Sequence, residues 1–149
     1  MLVSARTYIF LLAASLLLLA AAPARAQLCT ASSTPVAFGA YDYSSNTPLD
    51  SAGTVSWVCL SSLTVTVTLS KGGGASFAGR TLSGPSSASY NLYVDAARTK
   101  IWGDGTSGTY TSAAVLGLVG ALPVYGRVPI NQPLKVGNYT DTVVVTLNF

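Results

Sequence analysis

The fold is decided by one stretch near the end of the sequence, Tyr139-Thr140-Asp141-Thr142-Val143-Val144-Val145-Thr146-Leu147-Asn148-Phe149. Apolar residues occupy positions 143, 145, 147 and 149, while threonine or asparagine occupies positions 142, 146 and 148. An apolar residue at every second position predicts a half-buried β-strand. Soluble proteins normally avoid long apolar edge strands, and no residue follows Phe149 to cover this edge. We therefore expect another chain to pair with it.

Further runs of the same kind precede this stretch and are separated by Gly, Ser, Pro and Asn. Residues 53–59 place Val55, Trp57 and Cys59 on one face, and residues 63–70 alternate leucine or valine with threonine or serine. Shorter strands are predicted at residues 35–39, 90–94, 100–102 and 122–128. No amphipathic helix is predicted after the N-terminal segment, so parallel strands lack the crossover helices that they need. The pattern predicts an all-β antiparallel sandwich.

The N-terminal segment has the features of a secretory signal peptide. Arg6 precedes an uncharged apolar stretch at residues 9–22, and the sequence Ala24-Arg25-Ala26 fits the cleavage rule. At fourteen residues the stretch is shorter than the roughly 20 that a membrane span needs. We predict that residues 1–26 are removed on export and that residues 27–149 form a single domain.

The net charge and the cysteine content restrict the class of partner and the redox compartment of the protein. Removal of Arg6 and Arg25 would leave six basic residues against five aspartates, a net charge near +1, which argues against a nucleic-acid partner. The two cysteines, Cys29 and Cys59, are predicted to form one disulfide in an oxidising compartment. The alternative is two free buried thiols.

Little catalytic chemistry is available in this composition. The sequence contains no histidine, which excludes Ser-His-Asp and Cys-His arrangements and removes the commonest metal ligand. Two of the five acids could converge as a glycosidase-like carboxylate pair, but aspartates in loops more often bond to their own backbone. We predict no enzyme activity, no cofactor and no metal. The acids are Asp42, Asp50, Asp95, Asp104 and Asp141.

Four further features each allow a functional and a structural interpretation. Residues 71–74 are glycine-rich but fail the phosphate-loop pattern, which leaves a flexible connection. Residues 102–106 could form a calcium turn, although one aspartate supplies too few ligands, so a tight turn is favoured. Asn138 begins a glycosylation triplet. Nine aromatic residues could line a sugar site, although such residues more often fill a core: Tyr41, Tyr43, Trp57, Tyr90, Tyr93, Trp102, Tyr110, Tyr125 and Tyr139.

An ordered set of short motifs resembles the spore coat protein U family, which includes the subunits of archaic chaperone–usher pili. The resemblance covers essentially all of residues 27–149, and no single motif decides it. The motifs are Cys29, residues 36–42 (Val-Ala-Phe-Gly-Ala-Tyr-Asp), 55–59 (Val-Ser-Trp-Val-Cys), 90–93 (Tyr-Asn-Leu-Tyr), 102–106 (Trp-Gly-Asp-Gly-Thr), 124–129 (Val-Tyr-Gly-Arg-Val-Pro) and 137–143 (Gly-Asn-Tyr-Thr-Asp-Thr-Val).

The resemblance implies an incomplete immunoglobulin-like antiparallel β-sandwich that lacks its final strand. A periplasmic chaperone, and then another pilus subunit at the outer-membrane usher, would donate a strand to the resulting groove. By the same resemblance, the Cys29–Cys59 bond is the structural disulfide of the family. The groove and the chaperone contact would involve Val143, Val145, Leu147 and Phe149.

One departure from the polymerising members concerns the start of the exported chain. Only Gln27 and Leu28 separate the predicted cleavage site from Cys29, and two residues at roughly 3.3 Å each cannot fill a groove. We therefore expect a subunit that accepts a strand without donating one. The fibre tip is the position that such a subunit can take, with a role in adhesion to a host or abiotic surface and in biofilm formation. The alternative is a freestanding secreted spore-coat or surface protein that does not polymerise.

Overall fold

A computed structural model describes residues 28–149, and the predicted signal peptide lies outside these residues. Within the described part no helix is formed, and none is therefore long and apolar enough to cross a membrane. All strand pairings between the named strands are antiparallel, which confirms the predicted all-β class. The strands are β1 (Cys29–Thr34), β2 (Leu49–Leu69), β3 (Arg80–Ser83), β4 (Ser87–Tyr93), β5 (Val115–Val128) and β6 (Val145–Asn148).

The long strand β2 organises the architecture. The strands follow the order β1-β2-β5-β4-β3, and β6 pairs with the final residues of β2. Over residues 54–58, β2 pairs with β1 on one edge and β5 on the other, whereas residues 66–69 pair with β6. The register with β5 shifts between Val58 and Leu63, and such an irregularity bends a strand. The sheet curls at this point, so that its two ends enclose one core.

Strand β2 contributes side chains to the core at every second residue. Trp57, Val65, Val67 and Leu69 are buried on the inner side, as the alternating pattern predicted. They pack with Trp102, whose indole nitrogen donates a hydrogen bond of 3.0 Å to the carbonyl of Val67. Burying each large apolar side chain contributes about 1.5–3 kcal/mol, so β2 supplies much of the stability.

A disulfide joins the first described strand to β2. Cys29 and Cys59 lie directly opposite each other in the antiparallel ladder, with their sulfur atoms 2.05 Å apart. The two residues are 30 positions apart in the sequence, and closing a loop of that length is worth about 3–4 kcal/mol in the chain-entropy account. The disulfide that the sequence predicts is therefore present and fixes β1 at the edge of the sheet.

A buried arginine ties the end of β2 to the neighbouring elements. The Arg80 guanidinium is fully buried and donates hydrogen bonds to the carbonyl oxygens of Ser70 and Trp102, each at 2.7 Å, and to Asn91 Oδ1 at 2.8 Å. Burial lowers the pKa of Arg80, and these acceptors replace the water that the charged group has lost. The side chain thereby connects β2, β3 and β4 with the segment at Trp102.

Three predicted strand boundaries are wrong. Residues 35–39 form no strand, residues 100–102 contribute only isolated bridges, and the regular strand at the end of the sequence is confined to Val145–Asn148. Residues 35–39 have the right alternation but no paired neighbour. Conversely, neither β1 nor β3 is predicted by the sequence pattern. The Cys-Thr-Ala-Ser-Ser-Thr run of β1 is mostly polar, and its strand depends on pairing with β2.

We expect Arg80→Met to destabilise the protein strongly. Removing the guanidinium leaves the acceptors on Ser70, Asn91 and Trp102 buried without their donors, and we expect a loss of about 3 kcal/mol or more. Chemical denaturation monitored by tryptophan fluorescence would measure it. Arg127→Met is the matched control, since the Arg127 side chain is one-third exposed and its ion pair with Asp50 is worth about 1 kcal/mol or less. Equal losses in both variants would contradict the prediction.

The Asp50 carboxylate predicts a small acid-dependent loss of stability. Arg127 donates hydrogen bonds of 2.7 and 2.8 Å to it, which lowers the pKa of Asp50. A folded-state pKa below the unfolded value of about 3.9 gives stability that is present at neutral pH and lost as pH falls through the folded pKa. Because both side chains are one-third exposed, Asp50→Asn should cost under about 1 kcal/mol at pH 7.

Urea unfolding of the wild type and of Asp50→Asn at pH 7 and near pH 2 tests this expectation. The difference between the two proteins in unfolding free energy should be largest at neutral pH and should diminish as the pH falls toward 2, because Asp50 loses its charge as the pH falls through its folded pKa. A deficit of the same size at both pH values would show that Asp50 acts by some means other than its charge.

Candidate functional site

An open groove runs along the described domain and reaches its core. It has a volume of about 1080 Å³ and lies between two segments, residues 33–43 on one side and residues 132–145 on the other. Its floor is formed by apolar and aromatic side chains of the sheet, most of which are themselves buried in the core. These floor residues are Val55, Leu69, Leu82, Ala88, Tyr90, Leu92, Val124 and Val128.

Over residues 139–147, the main chain of the wall formed by the last segment is hydrogen-bonded along one edge only. Ser83 and Thr140 exchange two main-chain hydrogen bonds, and the amide of Ser70 donates to the carbonyl of Val144 at 2.9 Å. The register then continues with Thr68 opposite Thr146. The main-chain groups of successive residues point alternately to the two edges of a strand. The even-numbered residues therefore direct their amides and carbonyls toward β2 and β3. The odd-numbered residues therefore direct their amides and carbonyls toward the groove.

The same odd-numbered positions turn their side chains inward. Val143 and Val145 are half-buried and line the groove, and Leu147 is half-buried against the core. Val144, between them, has its side chain on the outer face and is 59% exposed. A strand laid along this edge would thus meet free main-chain groups and apolar side chains at the same residues, which is the arrangement that β-strand addition uses.

Beyond Thr34, the opposite wall has no strand pairing. Val36 and Phe38 pack against the core, while the carbonyl of Ala37 accepts a hydrogen bond of 2.6 Å from the Ser51 hydroxyl. Gly126 allows this close approach, because a Cβ at that position would lie 2.6 Å from Val36 Cγ1 and 2.7 Å from Phe38 Cζ. This part of the wall is therefore held in place by side-chain contacts, and its main chain forms no hydrogen bonds of a β-sheet.

Tyr90 connects the two walls across the floor. Its ring meets Phe38 edge to face, with centroids 6.0 Å apart, and its hydroxyl donates a hydrogen bond of 2.6 Å to Asp141 Oδ2. Burial, reinforced by the bond to this carboxylate, raises the pKa of Tyr90, so the phenol stays protonated as a donor. The groove is thus spanned at one level by a side chain from each wall and one from the floor.

The glycine-rich stretch at residues 71–74 binds the same carboxylate. The amide of Gly73 donates a hydrogen bond of 2.8 Å to Asp141 Oδ1, and Gly72 has a positive φ of 63°. A Cβ on Gly72 would overlap Asp141 Oδ2, so only glycine leaves room for the side chain. The sequence analysis rejected a phosphate loop here and favoured a flexible connection; the loop instead holds the anionic side chain of Asp141.

The predicted site residues separate into two groups. Val143 and Val145 lie in the groove wall, and Leu147 lies further along the same edge. Phe149 is 58% exposed and does not line the groove. Sequence reasoning missed the opposite wall and the role of Tyr90. A signal for that wall was present in the Val36–Phe38 alternation, which was interpreted as an ordinary strand.

The remaining candidates have local roles in the described residues. Asp42, Asp95 and Asp104 accept hydrogen bonds from nearby residues of their own loops, which lowers their pKa values, and Asp50 pairs with Arg127. No group of three metal-ligating side chains occurs within residues 28–149. Asn138 is exposed at the rim of the groove. The aromatic residues divide between the core, the groove and the outer surface.

Comparison with known proteins gives three findings. A family model described as "Spore Coat Protein U domain" matches residues 15–146. Over 61 residues the chain is 48% identical to "Protein U" of Myxococcus xanthus, a match that covers 41% of this chain and 34% of that protein. A shared fold is found with a solved CsuC–CsuE chaperone–tip adhesion subunit pre-assembly complex from the archaic chaperone–usher Csu pili of Acinetobacter baumannii.

The structural likeness has a TM-score of 0.57 and 17% sequence identity. It covers 81% of this chain and 39% of the chain that it matches, so this chain spans well under half the length of that structure. At this level of identity the likeness concerns the fold. It agrees with the curled antiparallel sheet described above, for which the strand pattern predicted an antiparallel sandwich and the family resemblance implied an immunoglobulin-like arrangement.

We expect Gly72→Ala to destabilise the groove wall. The added methyl group would displace the Asp141 carboxylate from its hydrogen bonds with Tyr90 and Gly73, at a cost of about 1–3 kcal/mol beyond the backbone strain. Gly108→Ala is the matched control, because Gly108 also has a positive φ, 75°, but nothing lies within 4 Å of its added Cβ. Urea unfolding measures both variants. If Gly72→Ala costs no more than Gly108→Ala, Asp141 does not hold the wall as described.

Proposed function

The chain belongs to the Spore Coat Protein U domain family, and from this premise we propose that it is an exported subunit of a chaperone–usher surface pilus. Its groove would accept a β-strand donated first by a periplasmic chaperone and then by a neighbouring subunit at the outer-membrane usher. The observation that carries this proposal is the open main-chain edge of residues 139–147, which coincides with an apolar groove.

The energetics favour a strand over a small molecule as the occupant. Each main-chain hydrogen bond formed on the open edge contributes on the order of 1 kcal/mol, and covering apolar groove surface adds about 25 cal/mol per Å². A strand can supply both terms at once, because its own main chain and its alternate side chains face the edge and the floor together. The pockets beside Val143 and Val145 would set its register.

Partners and location follow from this proposal. The solved relative is described as a complex of a chaperone with a tip adhesion subunit, which supports a chaperone as the first partner of this chain. Export through the predicted signal peptide would bring the chain to the periplasm. The usher and the other subunits would then place it on the cell surface. No catalytic step is part of this role.

A tip position and a part in adhesion and biofilm formation form the finer level of the proposal. An exposed apolar surface on β2 and β5 supports it. This surface lies at the end of the two strands that is remote from the ion pair between Asp50 and Arg127. Leu60, Leu116 and Val119 are 78%, 72% and 67% exposed. No charged residue occurs between Asp50 and Lys71 or between Asp104 and Arg127. Exposed apolar patches of this kind commonly mark interaction surfaces on soluble proteins.

A freestanding secreted coat or surface protein is the second candidate function. The observation that favours it is the 48% identity with "Protein U" over 61 residues, which is higher than the 17% identity with the pilus protein. In this role the groove would stay open in a monomer or be covered within the coat. The two candidates differ in whether the domain needs a donated strand in order to be stable.

Export of the chain to an oxidising periplasm, alone and with a candidate pilus chaperone, tests the proposal. We expect poor soluble yield alone and a soluble 1:1 complex on co-expression. Val145→Asp should abolish this capture, because it places a charge in the apolar wall, whereas Val144→Asp on the outer face should preserve it.

Two results would contradict the pilus proposal. A stable, monomeric domain that unfolds cooperatively without any partner would favour the freestanding protein. Equal capture of Val145→Asp and Val144→Asp would show that the chaperone binds elsewhere on the domain.

A further inference from the structure

The groove contains one anionic position in its otherwise largely apolar and uncharged lining. Asp141 and Lys135 are the charged residues among the described lining residues. Lys135 is exposed at the rim, whereas Asp141 is half-buried. Asp141 also lies on the open edge, two residues before Val143, and its side chain belongs to the inward-facing set. A strand that pairs with Val143 and Val145 would therefore pass over Asp141 as well.

The carboxylate is held in a fixed position. Its Oδ2 atom accepts a hydrogen bond from the Tyr90 hydroxyl at 2.6 Å, and its Oδ1 atom accepts from the amides of Gly73 and Thr142, each at 2.8 Å. Gly72 blocks rearrangement on one side, because its backbone packs directly against Oδ2. A carboxylate has about four acceptor positions, so these three donors leave about one. No cationic side chain of the described residues forms an ion pair with Asp141; the nearby Arg80 interacts with it through space, while its hydrogen bonds go to Ser70, Asn91 and Trp102.

An inserted strand would remove water from this carboxylate. Burying a charged group without a full set of hydrogen bonds is costly, and an apolar side chain placed over Asp141 would offer no compensation. A cationic donor would supply a charge-assisted hydrogen bond at the remaining acceptor position, in a site where water no longer competes. The chemistry of the covered groove therefore distinguishes between candidate strands.

Building on the proposed strand-accepting function, we propose that Asp141 selects a donor strand that carries a lysine at the inward position facing it. Apolar side chains would occupy the inward positions two and four residues away, where they meet Val143 and Val145. The lysine and the carboxylate would fix the register, because a slip by two residues would leave the carboxylate covered by an apolar group and the ammonium among valines. Asp141 is thus a specificity-determining residue of the groove.

The test uses two synthetic peptides that differ at one position. Both are eleven residues long and alternate valine with threonine, and a central inward valine is replaced by lysine in one and by methionine in the other. Because the chain alone is expected to be poorly soluble, it is purified in urea with its disulfide intact and refolded by dilution into each labelled peptide, and fluorescence anisotropy then gives the dissociation constants. We expect the lysine peptide to bind about tenfold more tightly than the methionine peptide. In Asp141→Asn, which keeps an acceptor for Gly73, this preference should fall below about twofold.

Asp104→Asn is the matched control, since it removes the same charge from an exposed turn outside the groove lining. It should retain the preference of the wild type for lysine. Equal or tighter binding of the methionine peptide by the wild type would overturn the inference while leaving strand acceptance intact. An equal loss of the preference in Asp104→Asn and Asp141→Asn would assign it to net charge and also overturn the inference. Failure of both peptides to bind would contradict the proposed function, and the inference with it.

Discussion

The main chain of residues 139–147 is hydrogen-bonded along one edge and open along the other, and the rest of the site depends on this asymmetry. The bonded edge is fixed by Ser83, Ser70 and the last residues of β2. The open edge leaves amides and carbonyls without ladder partners beside an apolar groove, a combination that folded domains normally avoid. The physical need to satisfy those groups and to cover the half-buried apolar side chains of the walls gives the groove its proposed strand-accepting role.

The groove can remain open because side-chain contacts with the rest of the domain hold its walls in place. The Arg80 guanidinium joins the end of β2 to β4 and to the carbonyl of Trp102, underneath the floor. Tyr90 links the two walls through Phe38 and Asp141, and the glycine-rich loop holds Asp141 from the outer side. A groove preorganised in this way loses less conformational entropy when it is filled, which favours binding of an extended partner.

The hydrogen bonds that hold the wall also place a polar group, the carboxylate of Asp141, within an apolar site. Asp141 helps to anchor the last segment, and its carboxylate lies where an inserted strand would cover it. A structural anchor can therefore also act in specificity, since its unused acceptor capacity becomes costly once water is displaced. Stability of the wall and choice of partner depend on one side chain and its three donors.

The sequence by itself determined the all-β class and the faces of the strongest strands. The alternation of Val55, Trp57, Val65, Val67 and Leu69 predicted their burial, because a period of two depends only on local strand geometry. The paired cysteines predicted the disulfide, and the absence of histidine removed whole classes of chemistry. The alternation at positions 143, 145 and 147 predicted the inward-facing residues of the last segment, two of which line the groove.

Only the tertiary structure decided which edges are paired and what surrounds the groove. The polar strand β1 exists because β2 lies beside it, whereas the strand-like residues 35–39 lack a paired neighbour, and neither fact is encoded in a local pattern. The contacts of Asp141 with Gly73 and Tyr90 join residues that are 68 and 51 positions apart. Long-range contacts of this kind arise from how the sheet curls, so the polar position of the groove could not be predicted from the sequence.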